Sequence, residues 1–491
     1  AWDVYLNRRE LQVTEEELLN QLKLSLEENQ YLEPELILEK VRDSLAREAN
    51  WVKILEQIPV ELQQIIRNLR MEGIHQIETE VRTYPEGSMA AHLIGFVGKN
   101  AKNEPVGYFG VEGALNRELS GESSTIVYKT DGRSQLFADQ VQERIILDGR
   151  DITLTIRRDI QHAVEQVLEK GIERFQSQSG EIVVLDPKTG AILALATWPH
   201  YDPARYFQFP TQNFKNPALV NLFEPGSTFK VITVATGLDL DLISPETECR
   251  KCSGPRVIGG YTINTWNKEF HPNITMTEAL RKSDNTAMVF ISEMIGANKF
   301  ADYIKAFGIS EALNLDLQED SNTPFPKRIG PIELATISFG QGISTNSLQM
   351  TRAISAIANR GKMMKPYLIA SVTDPRTQEI IQYEPEILRQ VIKPETAEAV
   401  TKMMIESAPD RQNWINQNYL VAGKSGTSQI PSETGGYKEK GTIASYIGFA
   451  PADDPKFVMM VKLTEPQVDQ WGATTAVPIW YEAADKIILL L

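Results

Sequence analysis

Cysteine is almost absent from this chain. Of 491 residues two are cysteines, Cys249 and Cys252, in the run Cys-Arg-Lys-Cys. Two thiols cannot staple a disulfide scaffold. With no second Cys or His pair nearby, they fall short of the four ligands of a zinc site, which favours a local disulfide or two plain thiols over a metal site. Histidine is scarce too: His75, His92, His162, His200 and His271 are scattered, without ligand spacing, and read as structural. No run of eighteen apolar residues occurs. The closing Ile487-Ile488-Leu489-Leu490-Leu491 is too short to span a bilayer and reads as the buried end of a last helix. An excess of basic charge is also missing. The net charge is −15 with no basic domain, which argues against a nucleic-acid partner. Internal repeats and low-complexity tracts are absent.

What is there is a folded chain. Hydrophobic residues make up 42% and charged residues 23%, a balance that supports packed cores. A chain of 491 residues exceeds one ordinary core and implies two or three domains. Residues 14–70 read as helices. Thr14-Glu15-Glu16-Glu17 is a capping box, followed by Leu18, Leu19, Leu22 and Leu26 at helical spacing. Further helices follow Pro34 and Pro59. Strands are expected at 78–84, 126–129 and 144–147, with a turn at Pro85-Glu86-Gly87-Ser88. Asp148-Gly149-Arg150-Asp151 is turn-rich and marks a boundary between residues 1–148 and 149–491. The second part opens with a strand at 152–156 and a helix at 159–175. A hairpin then runs 181–185, Asp186-Pro187-Lys188-Thr189-Gly190, 191–196. Helices dominate the middle, and strands return at 445–449 and 457–463. The fold class is α+β.

Three short motifs carry chemistry. Ser227-Thr228-Phe229-Lys230 follows Glu224-Pro225-Gly226, a loop entering a helix. Positions i and i+3 share a helix face, which brings the Lys230 amine towards the Ser227 hydroxyl. A serine needs such a base to be nucleophilic, and lysine serves when burial and a neighbouring cation lower its pKa. Ser283-Asp284-Asn285 offers a hydroxyl relay and an amide that holds a peptide group; a plain helix cap explains it equally well. Lys424-Ser425-Gly426-Thr427 precedes the 445–449 strand and suits an edge strand. There Lys424 supplies the second cation, Ser425 and Thr427 suit a substrate carboxylate, and Gly426 admits a substrate backbone. The N–H groups of Ser227 and Thr427 suit an oxyanion hole. Each motif alone is weak, since composition gives on the order of one or two Ser-x-x-Lys matches in such a chain. Decoys exist in Lys188-Thr189-Gly190 and Ser344-Thr345-Asn346. Order removes Lys188-Thr189-Gly190, which precedes the serine: Ser-x-x-Lys, then Ser-x-Asn, then Lys-[Ser/Thr]-Gly is the series of penicillin-binding proteins and class A β-lactamases.

The chain resembles a class B penicillin-binding protein, a monofunctional peptidoglycan D,D-transpeptidase. The resemblance extends over most of the chain. Arg82-Thr83-Tyr84-Pro85-Glu86-Gly87-Ser88 running on to Gly98, and Gly107-Tyr108-Phe109-Gly110-Val111-Glu112-Gly113 running on to Gly121, are similar to the signatures of the N-terminal pedestal. Trp198-Pro199, Tyr201-Asp202-Pro203 and Gly340-Gln341-Gly342-Ile343 match further family segments. The resemblance implies a pedestal of the dimerisation type over 1–148. It implies a transpeptidase domain of the serine β-lactamase-like fold over 149–491, with an antiparallel sheet flanked by helices. It also implies a mechanism. Ser227 attacks a D-alanyl-D-alanine stem, Lys230 acts as general base, Ser283 and Asn285 shuttle protons and hold the peptide, and Lys424 supports the electrostatics. Ser425, Gly426 and Thr427 bind substrate. β-Lactams trap the acyl-enzyme, and no metal or organic cofactor is needed. The expected partners are a SEDS-type membrane glycosyltransferase and other cell-division proteins, with a division role favoured over elongation. Relatives begin with a membrane helix and an Arg-Gly-rich stretch that are absent here, so an anchor upstream of residue 1 on the extracytoplasmic side is the expectation. The competing readings are a β-lactamase using Glu311, a D,D-carboxypeptidase, a bifunctional enzyme with a glycosyltransferase, and a non-catalytic divisome scaffold. Glu311 reads as structural, since its spacing to Asn314 is one residue short of the lactamase pattern.

Overall fold

The structure is a computed structural model that describes residues 1–102, 104–125, 144–315, 317–409, 419–432 and 435–491. The strand expected at 126–129 lies outside the described residues. The chain divides into two compact units, Ala1–Pro85 and Glu86–Leu491.

The first unit is a three-stranded antiparallel sheet with helices on it. The expected helices are present as Glu15–Glu28, Pro34–Leu45 and Val60–Asn68, and the Thr14 capping box forms as read. Between and around them run the strands Trp2–Asn7, Trp51–Ile58 and Ile74–Glu78, of which Trp51–Ile58 corrects the all-helical reading of 14–70. Trp2–Asn7 is central and pairs with both others. The strand expected at 78–84 is shifted upstream for a simple reason. Trp2 pairs with Glu78, and the partner strand has only Ala1 left to offer beyond that point. Leu18, Leu22, Leu26, Leu38, Val41, Val52 and Ile54 form the core of this unit.

The second unit is built on a five-stranded antiparallel sheet. Its order is Ile192–Trp198, Ser179–Leu185, Phe457–Thr464, Tyr437–Ala450 and Ala422–Pro431. The expected hairpin is its first pair, and Lys188-Thr189-Gly190 is the tight turn joining the two strands. Successive strand residues face opposite layers. Ile182, Val184, Met459 and Val461 meet the helices Arg158–Phe175 and Ala476–Leu490. Val458, Met460, Ile447 and Phe449 face the helical layer that carries the three motifs. The strand expected at 152–156 is Asp151–Leu154, in a small separate sheet. Among the described residues no helix is long and apolar enough to cross a membrane. Cys249 and Cys252 form a disulfide.

The last helix clamps the sheet through Trp480, which is fully buried and donates from Nε1 to the Met459 carbonyl at 2.8 Å. It also meets Tyr446 edge-on at 5.2 Å. Ile487 is buried, but Leu489 is 81% exposed, so the expected burial of the chain end stops one turn short of it. Trp480→Ala should lower unfolding free energy by about 3–5 kcal/mol, the usual range for emptying a large aromatic site. A denaturant titration checks this, and a shift below about 1 kcal/mol would show that the helix is not integral to the core.

Candidate active site

The serine sits on a 3₁₀ turn, Gly226–Phe229, that runs into the buried helix Lys230–Asp239. A 3₁₀ turn eclipses positions three apart, so Ser227 and Lys230 share a side. The turn is wedged in place. The Gly226 N–H donates to the Gly340 carbonyl at 3.0 Å, and Gly340 has φ +81°. A Cβ on Gly340 would lie 2.2 Å from the Gly226 carbonyl oxygen, so only glycine permits this approach. Thr228 Oγ1 donates to the Pro225 carbonyl at 2.7 Å, and Phe229 is sunk in the core. Upstream, Glu224 accepts from the Gly342 N–H and the Tyr437 hydroxyl, both at 2.9 Å.

The Ser-Asp-Asn motif divides its labour. The helix Met276–Lys282 ends at Ser283, which takes a left-handed conformation with φ +58°, and Asn285–Ile295 begins two residues later. Asp284 alone caps the new helix, accepting from the N–H groups of Thr286 at 2.8 Å and Ala287 at 3.2 Å. The capping explanation is therefore spent on Asp284, and its neighbours are free for Lys230. Lys230 Nζ reaches the Ser283 carbonyl at 2.6 Å, Ser283 Oγ at 3.0 Å and Asn285 Oδ1 at 2.7 Å. None of these bonds goes to Ser227. The contact expected from helical spacing gives way to three acceptors that the turn aims at the amine.

Lys424, Ser425, Gly426 and Thr427 lie on the edge strand Ala422–Pro431, paired as expected with Tyr437–Ala450, Gly426 opposite Ser445. Lys424 is 2% exposed and donates to the Ser425 carbonyl at 2.9 Å. Its burial pushes the ammonium down to about 8. Lys230 is fully enclosed and lies well below the ordinary lysine value, first because of burial and then because of the charge on Lys424; Asp284 pulls the other way. A Cβ on Gly426 would meet Ser445 Oγ at 2.7 Å and Thr228 Cγ2 at 2.8 Å. The glycine thus lets the protein's own serine turn close onto the strand, a need that the sequence did not announce. Thr427 Oγ1 accepts from the Gly472 N–H at 2.9 Å.

Ser227, Ser283, Lys424, Ser425, Gly426 and Thr427 line one cleft of about 610 Å³. An adjoining cavity of about 370 Å³ shares Ser227 and Thr427 and is lined also by Asn285. Trp266 and Trp471 line both spaces and meet edge-on at 5.4 Å. These tryptophans and His271 were not found by motif reasoning, because no spacing rule links segments two hundred residues apart. The decoys lie elsewhere. Asn346 caps the helix Ser347–Ala358, with Thr345 and Asn346 buried beside it. Lys188 pairs with Asp454 at 2.5 Å. Glu311 pairs with Arg389 and lines neither cavity.

The family described as the penicillin binding protein transpeptidase domain matches residues 180–485. The penicillin-binding protein dimerisation domain matches residues 1–154. Stage V sporulation protein D of Bacillus subtilis is 32% identical over 90% of this chain and 69% of its own length. The peptidoglycan D,D-transpeptidase FtsI of Escherichia coli is 27% identical over 88% of this chain and 71% of its own. A crystal structure of penicillin binding protein 3 from Mycobacterium tuberculosis, complexed with aztreonam, superposes with a TM-score of 0.73 at 25% identity, covering 86% of this chain and 91% of that one. With a dimerisation-type region followed by a transpeptidase domain, and with relatives alike in both, the chain belongs to the class B penicillin-binding proteins.

Proposed function

We infer that the chain is a peptidoglycan D,D-transpeptidase of the division type that works through Ser227. One observation carries the assignment of roles: a buried lysine below its ordinary pKa, held by Ser283 and Asn285, beside a second buried lysine in the cleft that contains Ser227. Lys230, as a free amine, takes the Ser227 proton while Oγ attacks the carbonyl of the penultimate D-alanine. The N–H groups of Ser227 and Thr427 face the developing oxyanion. As the C–N bond breaks, the proton returns through Ser283 to the departing D-alanine amine. The amine of a second stem peptide then attacks the ester and loses its proton to Lys230, which passes it to Ser227 Oγ as the ester C–O bond breaks. Ser425 and Thr427 hold the substrate carboxylate, and β-lactams enter as substrate mimics. Glu311, the candidate for a lactamase glutamate, is tied to Arg389 and lines neither cavity, which speaks against the lactamase reading.

We place the boundary between pedestal and transpeptidase domain at 148/149, which the match of the dimerisation family to residues 1–154 supports. The enzyme works at the extracytoplasmic face of the cell membrane, with an anchor helix preceding residue 1, beside a SEDS-type glycosyltransferase and other division proteins. The test is incubation with glycan strands bearing pentapeptide stems. Released D-alanine should equal the cross-links formed. Release without cross-links would make it a carboxypeptidase, and rapid turnover of penicillin a lactamase.

A further inference from the structure

At the floor of the cleft two polar atoms face each other without a hydrogen bond of their own. Asp284 Oδ2 and His271 Nδ1 lie 3.6 Å apart. Both are shut off from water, and neither has a hydrogen-bond partner. Buried polar atoms are rarely left so, and a carboxylate oxygen least of all. Asp284 is 1% exposed, and its other oxygen is spent on Thr286 and Ala287. The residues on either side of it, Ser283 and Asn285, are those that hold Lys230. The loop that carries His271 is tied to the same turn a second time, where Asn285 Nδ2 donates to the Asn264 carbonyl at 2.8 Å.

We propose that His271 is a positioning residue for acylation: with a proton on Nδ1 it closes onto Asp284 Oδ2, fixes the Ser283-Asp284-Asn285 turn against Lys230 and shields that amine from the carboxylate. The proposal rests on the reading of Lys230 as the base. Its physical content is a balance of charges. Asp284 is the group that pulls Lys230 towards its protonated, unreactive form, so whatever offsets Asp284 favours the free amine. A neutral imidazole supplies the hydrogen bond, and an imidazolium adds a charge. The other charged groups facing this part of the cleft are Glu269, Arg281, Lys282 and Lys424. None of them makes a hydrogen bond to Asp284 Oδ2.

The test is the second-order rate of acylation by benzylpenicillin across pH, for the native protein, His271→Ala, His271→Gln, Asp284→Asn and the double variant. Thermal melts confirm that each is folded. Asparagine caps helices as well as aspartate, so Asp284→Asn keeps the turn and removes the charge. Loss of His271 should move the acid limb upward by about one pH unit, a tenfold loss of free amine on its acid side. Glutamine, which can also donate to Asp284 Oδ2, should recover the rate on the plateau and part of the limb's displacement. Asp284→Asn should move the limb downward, and in that background His271→Ala should shift it no further. A limb that stays put in His271→Ala overturns the proposal, even if the rate falls. So does an equal shift in the Asp284→Asn background. If the native protein takes no penicillin, the reading of Ser227 and Lys230 falls first.

Discussion

Replacing Ser227 by alanine should leave a protein that binds penicillin without ever keeping it. Intact-mass spectrometry after a penicillin incubation should show one added acyl group on the native chain and none on the variant. The expected loss of rate is on the order of a millionfold, the scale seen when a serine hydrolase loses its nucleophile. Two other hydroxyls of the cleft already have partners. Ser283 Oγ is engaged with Lys230, and the Thr427 hydroxyl with the Gly472 N–H. Ser227 is set on its turn by Gly226 and Gly340, neither of which depends on its side chain. The variant should therefore melt near the native temperature. An adduct that persists on Ser227→Ala, at Ser283 or elsewhere, would sink the assignment.

The second large effect is in pH. On the proposed mechanism, acylation requires Lys230 as a free amine and Lys424 as an ammonium. As pH rises, Lys230 loses its proton first and the rate climbs. As pH passes about 8, Lys424 loses its own and the rate falls. Lys230→Ala should remove the base and cost roughly a hundredfold to ten-thousandfold in acylation rate. Lys424→Gln should do two opposite things to the profile. The alkaline fall disappears, because no proton remains to be lost. The acid limb moves upward, because the positive charge that kept Lys230 neutral has gone. Rates measured in buffers of constant ionic strength between pH 5 and about 10 decide the matter, the span that brackets both limbs. An alkaline limb unmoved in Lys424→Gln would place that proton on another group.

Much of this site was legible in the sequence, for a local reason. Ser227 and Lys230 are one turn apart, and Ser283 and Asn285 flank a single capping residue. Each motif carries its own geometry, and order along the chain excluded Lys188-Thr189-Gly190, while Ser344-Thr345-Asn346 was set aside on the family segment that precedes it. What failed were features that arise between segments. The missing side chain of Gly426 also makes room for Thr228, two hundred residues earlier, which no motif showed. The strand Trp51–Ile58 escaped detection because its pairing slips between Trp2 and Val4, and Gln57 adopts φ +53°. Val52, Ile54, Leu55 and Ile58 are its buried members, a spacing that mixes strand and helix periods. Trp266 and Trp471 gave no signal at all, since an aromatic residue near an active site reads no differently from one elsewhere.

The place of Phe457–Thr464 between Ser179–Leu185 and Tyr437–Ala450 bears on when the enzyme becomes able to react. During synthesis the strand carrying Lys424 emerges before the one that must splice it to the rest of the sheet. Until residue 464 is available, the hairpin bearing Lys424 has no ladder joining it to the earlier half, and no fixed wall opposite Ser227. Penicillin labelling should therefore report completion of the sheet, and a polypeptide ending before Phe457 is expected to take no label.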